Sequence, residues 1–175
     1  MEQFGKLIQT RRSMRKFTEE KLTEDEKKML LRAALISPTS KNTRGWEFIA
    51  VDDAEILRKL SVCREMGSGF LAEAAFAVVV LGDPTKSDAW IEDCSIAAIT
   101  MQLQAEDLGL GSCWSHMRNR FSADGISTRE TIQKLFGVPE PYEPLCIIGF
   151  GHKGMDRKPY EDDRMQWEKV HTNRF

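Results

Sequence analysis

The sequence predicts a mixed α and β fold, of the α+β or α/β class, on three observations. Apolar, β-rich runs at 46–52, 76–83 and 145–151 are spread along the chain. Helical periodicities lie between them, and two open with capping-box spacings, Thr23–Glu26 and Ser127–Glu130. Helix and strand signals therefore alternate rather than segregate. The length of 175 residues suits one domain with its own core, so a single domain over 1–175 is expected.

Each element has a local reason. Residues 3–10 read as a short helix with Phe4, Leu7 and Ile8 on one face. The stretch RRSMRKF, 11–17, breaks that period and reads as extended. Thr23 caps a helix carrying Met29, Leu30, Ala33 and Ala34, which ends before Pro38. A polar loop, SPTSKNTRG, leads into the strand WEFIAVD, and Asp53 caps the helix that runs through Leu60. FAVVVLGD is a buried strand. Asp88 to Leu108 is the longest helix, apolar on most sides as a central core helix would be, and Gly109 stops it. LGSCWS is a short strand, and the second capping box opens a helix to Phe136. GVPEPYEP is a turn cluster, and LCIIGFG the last strand. From 152 onward the chain is polar, with scattered apolar anchors at Trp167, Val170 and Phe175.

Composition excludes several classes. A formal net charge of −2 gives no basic field for nucleic acid. No apolar run approaches the ~20 residues that span a bilayer, and the opening MEQFGKLIQTRR lacks the apolar block of a signal peptide. Cys63, Cys94, Cys113 and Cys146 form no CxxC and sit in apolar stretches, which fits reduced core thiols. A cytoplasmic protein without metal or membrane association is the expectation. Gly149, Gly151 and Gly154 match G-x-G-x-x-G after a strand, but Pro159 and the sequence end at 175 leave no room for the helix, strand and acid of a dinucleotide site. They read instead as a flexible exit from the last strand. No Walker, HExxH or GxSxG pattern occurs.

RRSMRKF places four cations in seven residues. A solvated surface run and a phosphate-binding strip both fit it. Three further stretches bear on the choice: SPTSKNTRGW at 37–46, AEDLGLGSCW at 105–114 and WEKVHTNRF at 167–175. Together and in this order, the four stretches make the chain resemble the short FMN-dependent nitroreductases, with their R-R-S-x-R-x-F, A-P-S-x-x-N-x-Q-P-W and A-x-x-L-G-L-G-x-x-W motifs.

The resemblance implies a three-layer α/β/α fold with a central mixed, mainly antiparallel sheet. It implies a homodimer with FMN at the interface and the C-terminal tail wrapped over the partner. Arg11 and Ser13, with Arg12 beside them, would meet the phosphate and ribityl chain, and Arg15 would lie near the pyrimidine edge. Pro38, Thr39 and Ser40 would pack on the flavin from the other subunit. Asn42 would hydrogen-bond the ring or pin its loop. Trp114, Ser115 and His116 would lie against the flavin; Trp114 as a core aromatic and His116 as an ordinary loop residue are the alternatives. His116 is the candidate proton donor. Arg157 and Lys158 would be a second pair of phosphate ligands, or a solvated basic turn. Arg44 stands where the family has Gln and would recruit anionic substrates.

The implied activity is NADH- or NADPH-dependent reduction of nitroaromatics, quinones or similar flat acceptors by a ping-pong route. A dehalogenase, enone reductase or flavin-processing enzyme on the same fold is an alternative. So are a non-catalytic flavin protein and a flavin-free phosphate binder.

Overall fold

A computed structural model describes residues 3–175. Four strands form one sheet: β1 (Trp46–Val51), β2 (Phe76–Gly82), β3 (Leu110–His116) and β4 (Glu143–His152), in the order β1-β2-β4-β3. Every named pair is antiparallel, with Val79 opposite Ile147 and Trp114 opposite Ile148. Among the described residues the parallel component is a single bridge, Ser13 to Ser112, where the Met14 amide donates to the Ser112 carbonyl at 2.9 Å. The register of β2 on β4 slips between Val80 and Leu81, where Pro144 stands opposite Leu81. Proline has no amide to donate, so it is tolerated at such an irregularity.

The central strands are covered on both faces, which is why β2 and β4 read as continuous apolar runs. On one face Phe76, Val78, Val80, Ile148 and Phe150 meet α2 (Glu24–Leu35) and α4 (Trp90–Asp107) through Leu30, Ala34, Ala97, Ala98 and Met101. On the other, Ala77, Val79, Leu81 and Ile147 meet α3 (Ala54–Ser61) and α5 (Thr128–Phe136) through Leu57, Leu60 and Ile132. The result is three layers, helices on sheet on helices. Full burial of one side chain such as Phe150 contributes about 1.5–3 kcal/mol.

The expected helix starts hold in chemical detail. Thr23 and Glu26 form a complete capping box, and Asp53 accepts from the amides of Glu55 and Ile56. At α5 only half of the second box forms. Ser127 accepts from the Glu130 amide, while the Glu130 carboxylate turns outward to Lys134 at 2.8 Å. The expectation of α4 as a core helix apolar on most sides needs correction. Ile96 and Ile99 remain 38% and 40% exposed, so the chain's own core covers one flank only. The short helix α1 (Gln3–Thr10) buries none of its residues, and Phe4 and Ile8 stand open.

The glycines of the last strand are not a flexible exit. A Cβ on Gly151 would stand 2.8 Å from Phe17 Cδ1, and one on Gly154 would stand 2.8 Å from the Phe17 carbonyl carbon. They are packing glycines that admit the end of RRSMRKF. Gly111 does the same for Met14, whose Cβ would be 2.9 Å away. The stretch is thereby stitched to β3 and β4, with Thr18 donating to the His152 carbonyl at 3.0 Å.

Candidate functional site

The side chains of 11–17 sort by what each one meets. Met14 is buried against Gly111, and Phe17 packs on Gly151. Arg11, Ser13 and Arg15 instead bear on the buried thiol of Cys113. Burial raises that thiol's pKa, and Arg15, Ser13 and Arg11 act against the rise. Burial likewise pushes Cys63 up to about 11 and Cys94 up to about 12, so these are inert core thiols. All four cysteines are free and buried.

Among the described residues, none of Arg11, Arg12, Arg15 and Lys16 pairs with a carboxylate. Arg11 also borders a cavity of about 470 Å³ shared with Ile8, Gln9, Tyr160 and Asp162. A strip of unpaired cations beside a hydroxyl suits a phosphate. Below it, Gln102 on α4 donates to the Ser112 hydroxyl at 3.3 Å, and both are buried. This bond fixes the strand on which Ser13 rests.

Arg12 is placed differently from the expected phosphate contact beside Arg11. Its guanidinium donates to the Lys158 carbonyl and lies 4.5 Å from the Tyr160 ring centroid. Gln9 and Tyr160 add two bonds, at 2.8 and 3.0 Å. Arg12 is thus a clamp on the C-terminal segment. The clamp brings Arg157 and Lys158 to the same end of the molecule as the cation strip.

The loop 37–45 forms a second cluster. The Ser40 amide donates to the buried Asp93 carboxylate at 2.7 Å, and Thr39 Oγ1 accepts from the Arg44 amide at 3.1 Å. Asn42 Oδ1 accepts from Arg44 Nε at 3.1 Å, so Asn42 pins the loop. Lys41, Asn42 and Arg44 all have left-handed backbones, at φ 51°, 55° and 48°. Only Asn among these adopts that region readily, so the loop is held in a strained form by its hydrogen bonds. Thr43 Oγ1 and Trp46 Nε1 are buried without a hydrogen bond. Asp93 and Gln102, which anchor the two clusters, stand nine residues apart on α4, roughly 13 Å along the helix. One chain does not bring Pro38, Thr39, Ser40 and Asn42 onto the 11–15 strip.

The end of β3 carries the third group. Ser115 is buried and its hydroxyl donates to the Gly67 carbonyl at 3.2 Å, so that side chain faces away from Trp114 and His116. Trp114 and His116 stack at 6.3 Å with an interplanar angle of 11°. Trp114 also packs against the core, as its core-aromatic alternative expected. The His116 pKa is lowered by burial first, then by Arg120, Arg64 and Arg118. Burial and the arginines favour the neutral imidazole, and a backbone hydrogen bond at Arg118 acts against them.

Sequence reasoning missed Asp93, Gln102 and the arginines around His116. A buried polar residue inside a helix was the available signal for the first two. Nothing in the spacing links Arg64 to Arg118. Among the described residues no cluster of metal ligands occurs, and no helix is long and apolar enough to cross a membrane.

A family model described as "Nitroreductase family" matches residues 8–62 and 60–152. A protein of Archaeoglobus fulgidus named "Putative NADH dehydrogenase/NAD(P)H nitroreductase" is 32% identical over the whole of both chains. An "FMN reductase (NADPH)" of Bacillus subtilis is 26% identical over 83% of this chain and 64% of its own length. An FMN-dependent nitroreductase of Clostridium difficile R20291 superposes with a TM-score of 0.94 at 44% identity, covering 97% of this chain and 98% of that one.

Proposed function

The chain belongs to the nitroreductase family, and on that premise we infer that it is an FMN-dependent NAD(P)H oxidoreductase acting on flat, electron-poor acceptors such as nitroaromatics and quinones. The observation that carries this reading is the strip of Arg11, Ser13 and Arg15, whose cations pair with no carboxylate and which Met14 and Phe17 lay on β3 and β4. A phosphate there would take bidentate bonds from Arg11 and a hydroxyl bond from Ser13. Arg15 would stand by the pyrimidine edge, where a cation favours the reduced, anionic ring. Arg157 and Lys158 would add charge at the phosphate end, held there by the Arg12 clamp.

FMN, when bound, supplies the hydride and electron chemistry. The chain's own residues bind, orient and shelter. Trp114 and His116 would form one wall of the stacking slot, and the His116 ring would offer an N–H to the reacting ligand. Donor and acceptor would occupy this slot in turn, which makes the kinetics ping-pong.

A homodimer would complete the site. With roughly 13 Å of α4 between the two clusters, Pro38, Thr39, Ser40 and Asn42 of the partner subunit would close the flavin pocket. The open apolar residues support this: Phe4 and Ile8 on α1, Ile96 and Ile99 on α4, and Trp167, Val170 and Phe175 in the tail. The visible spectrum before and after anaerobic NADPH or NADH is the test. A yellow dimer with about one FMN per chain that bleaches is expected. A monomer fully loaded with flavin by light scattering, or a yellow protein that neither donor bleaches, would overturn it.

A further inference from the structure

β3 ends at His116, and the chain turns back through 117–121. Arg118 and Arg120 stand exposed on that turn. Arg64, just after α3, reaches across and donates Nη1 to the His116 carbonyl at 2.7 Å, while its Nε is buried with no partner. Arg118 lies 5.9 Å from the Trp90 ring centroid, and Arg120 donates only to the neighbouring Asn119 carbonyl, at 3.3 Å.

Among the described residues none of these three guanidinium groups meets a carboxylate. The contrast with Arg129 is local. It lines the same crevice as Arg118 and Arg120 but is paired with Glu140 and with Glu143 at 3.0 Å. Glu65 is exposed beside Arg64, and its amide, not its carboxylate, ties it to the turn through the Phe121 carbonyl at 2.9 Å. Like charges held around a half-buried ring repel one another, and a negative ligand relieves that repulsion. The Arg64 guanidinium is held against the Gly67 turn, its Cζ 3.5 Å from where a Gly67 Cβ would stand, and so stays fixed beside the 117–121 turn.

We propose that Arg64, Arg118 and Arg120 form an anion subsite beside the Trp114–His116 stack, selecting planar ligands that carry a carboxylate or phosphate. The ring would lie along the stack and the anion between the guanidinium groups. This rests on the flavin reading of the same slot and adds a ligand class to it. The anion is either the carboxylate of an aromatic acceptor or a phosphate of the nicotinamide donor. Arg44, whose Nε is committed to Asn42, contributes less to such selection.

The test uses flavin-loaded wild type and the pair Arg118→Gln/Arg120→Gln, leaving Arg64 to hold β3. Each is titrated with benzoate and with benzamide, its uncharged analogue, and binding is read by tryptophan fluorescence and the flavin band. KM for NADPH and for NADH is measured beside them. Benzoate should bind wild type about tenfold more tightly than benzamide, and the pair should lose that preference. Arg118→Lys/Arg120→Lys should retain at least part of it. A loss confined to benzoate assigns the site to the acceptor. A rise of about tenfold in donor KM assigns it to phosphate, and a rise for NADPH alone assigns it to the 2′-phosphate. No change in any arm, or equal loss for benzoate and benzamide, overturns the proposal. A colourless protein that takes no FMN refutes the flavin reading instead, and the fluorescence comparison still decides the subsite.

Discussion

Replacing Gly151 by Ala tests how the flavin strip is positioned, without touching a charged residue. The new Cβ would stand 2.8 Å from Cδ1 and Cγ of Phe17 and 2.9 Å from its Cβ. Carbon atoms are at ease near 3.5–4 Å, so the ring must retreat by about 0.7–1 Å. It cannot swing freely, because Thr18 is bonded to His152 and the Lys16 carbonyl to the Gly154 amide, each at 3.0 Å. Overpacking of this kind costs roughly 1–3 kcal/mol. At about 2–4 °C per kcal/mol for a chain of this size, the melting temperature should fall by roughly 2–12 °C. The displaced strand carries Arg15 and Ser13 with it, so FMN affinity should fall as well. Differential scanning fluorimetry and apoprotein titration by flavin fluorescence quenching would measure both. Phe17→Ala removes the two ring atoms from the clash, so Gly151→Ala should cost less in that background, as a double-mutant cycle would show. An unchanged melting temperature and FMN affinity, or no coupling to Phe17, would refute the stitching argument.

Arg11→Ala should weaken FMN roughly tenfold to a hundredfold, for a charge-assisted bond of about 1.5–3 kcal/mol, and leave riboflavin binding almost unchanged. Lys16→Ala, the same charge lost from the same run, should have a small and salt-sensitive effect, and equal effects would return the cluster to a general surface charge. Arg44→Gln should release Asn42 and loosen the loop, so turnover of neutral and carboxylated nitroarenes should fall together. A loss confined to the carboxylated ones would give Arg44 the recruiting role instead. The folded pKa of His116 lies below its ordinary 6.5, so the unfolded chain takes up the proton first. The stability this group contributes is complete above pH 6.5 and is lost as pH falls through 6.5 toward the folded value. His116→Gln should therefore flatten the pH dependence of the melting temperature in that window, and identical slopes would contradict it.

The elements were legible because their causes are local. Thr23, Asp53 and Ser127 announce helices through their own side chains, and the two central strands announce burial by unbroken apolar runs. What failed was non-local. Ile96 and Ile99 satisfy a core periodicity, yet nothing in one chain lies over them. The Glu130 carboxylate had two partners within reach, the Ser127 amide and Lys134, and spacing alone does not rank them. The glycines at 149, 151 and 154 read as freedom of the backbone, because the residues that need their missing Cβ atoms are far off in sequence: Phe70 and Leu71 for Gly149, and Phe17, more than 130 positions away, for Gly151 and Gly154.

The site was legible to the same depth. RRSMRKF offers four cations of similar chemistry, and the sequence does not rank them. The fold ranks them by where each neighbour goes. Met14 and Phe17 enter the gaps left by Gly111 and Gly151, which holds the segment in place. Arg11, Ser13 and Arg15 bear on Cys113 of β3, and Arg12 meets the tail, where Tyr160 and the Lys158 carbonyl take it. The motif is thus two apolar pegs, one clamp and one strip of unpaired cations, in a single run. The arginines around His116 have no such motif. Arg64 lies 54 positions before Arg118, and both bear on His116 only because α3 and β3 end at the same corner of the fold. A recognition feature written in one strand can be read from spacing, whereas one assembled from two loop ends requires the tertiary structure.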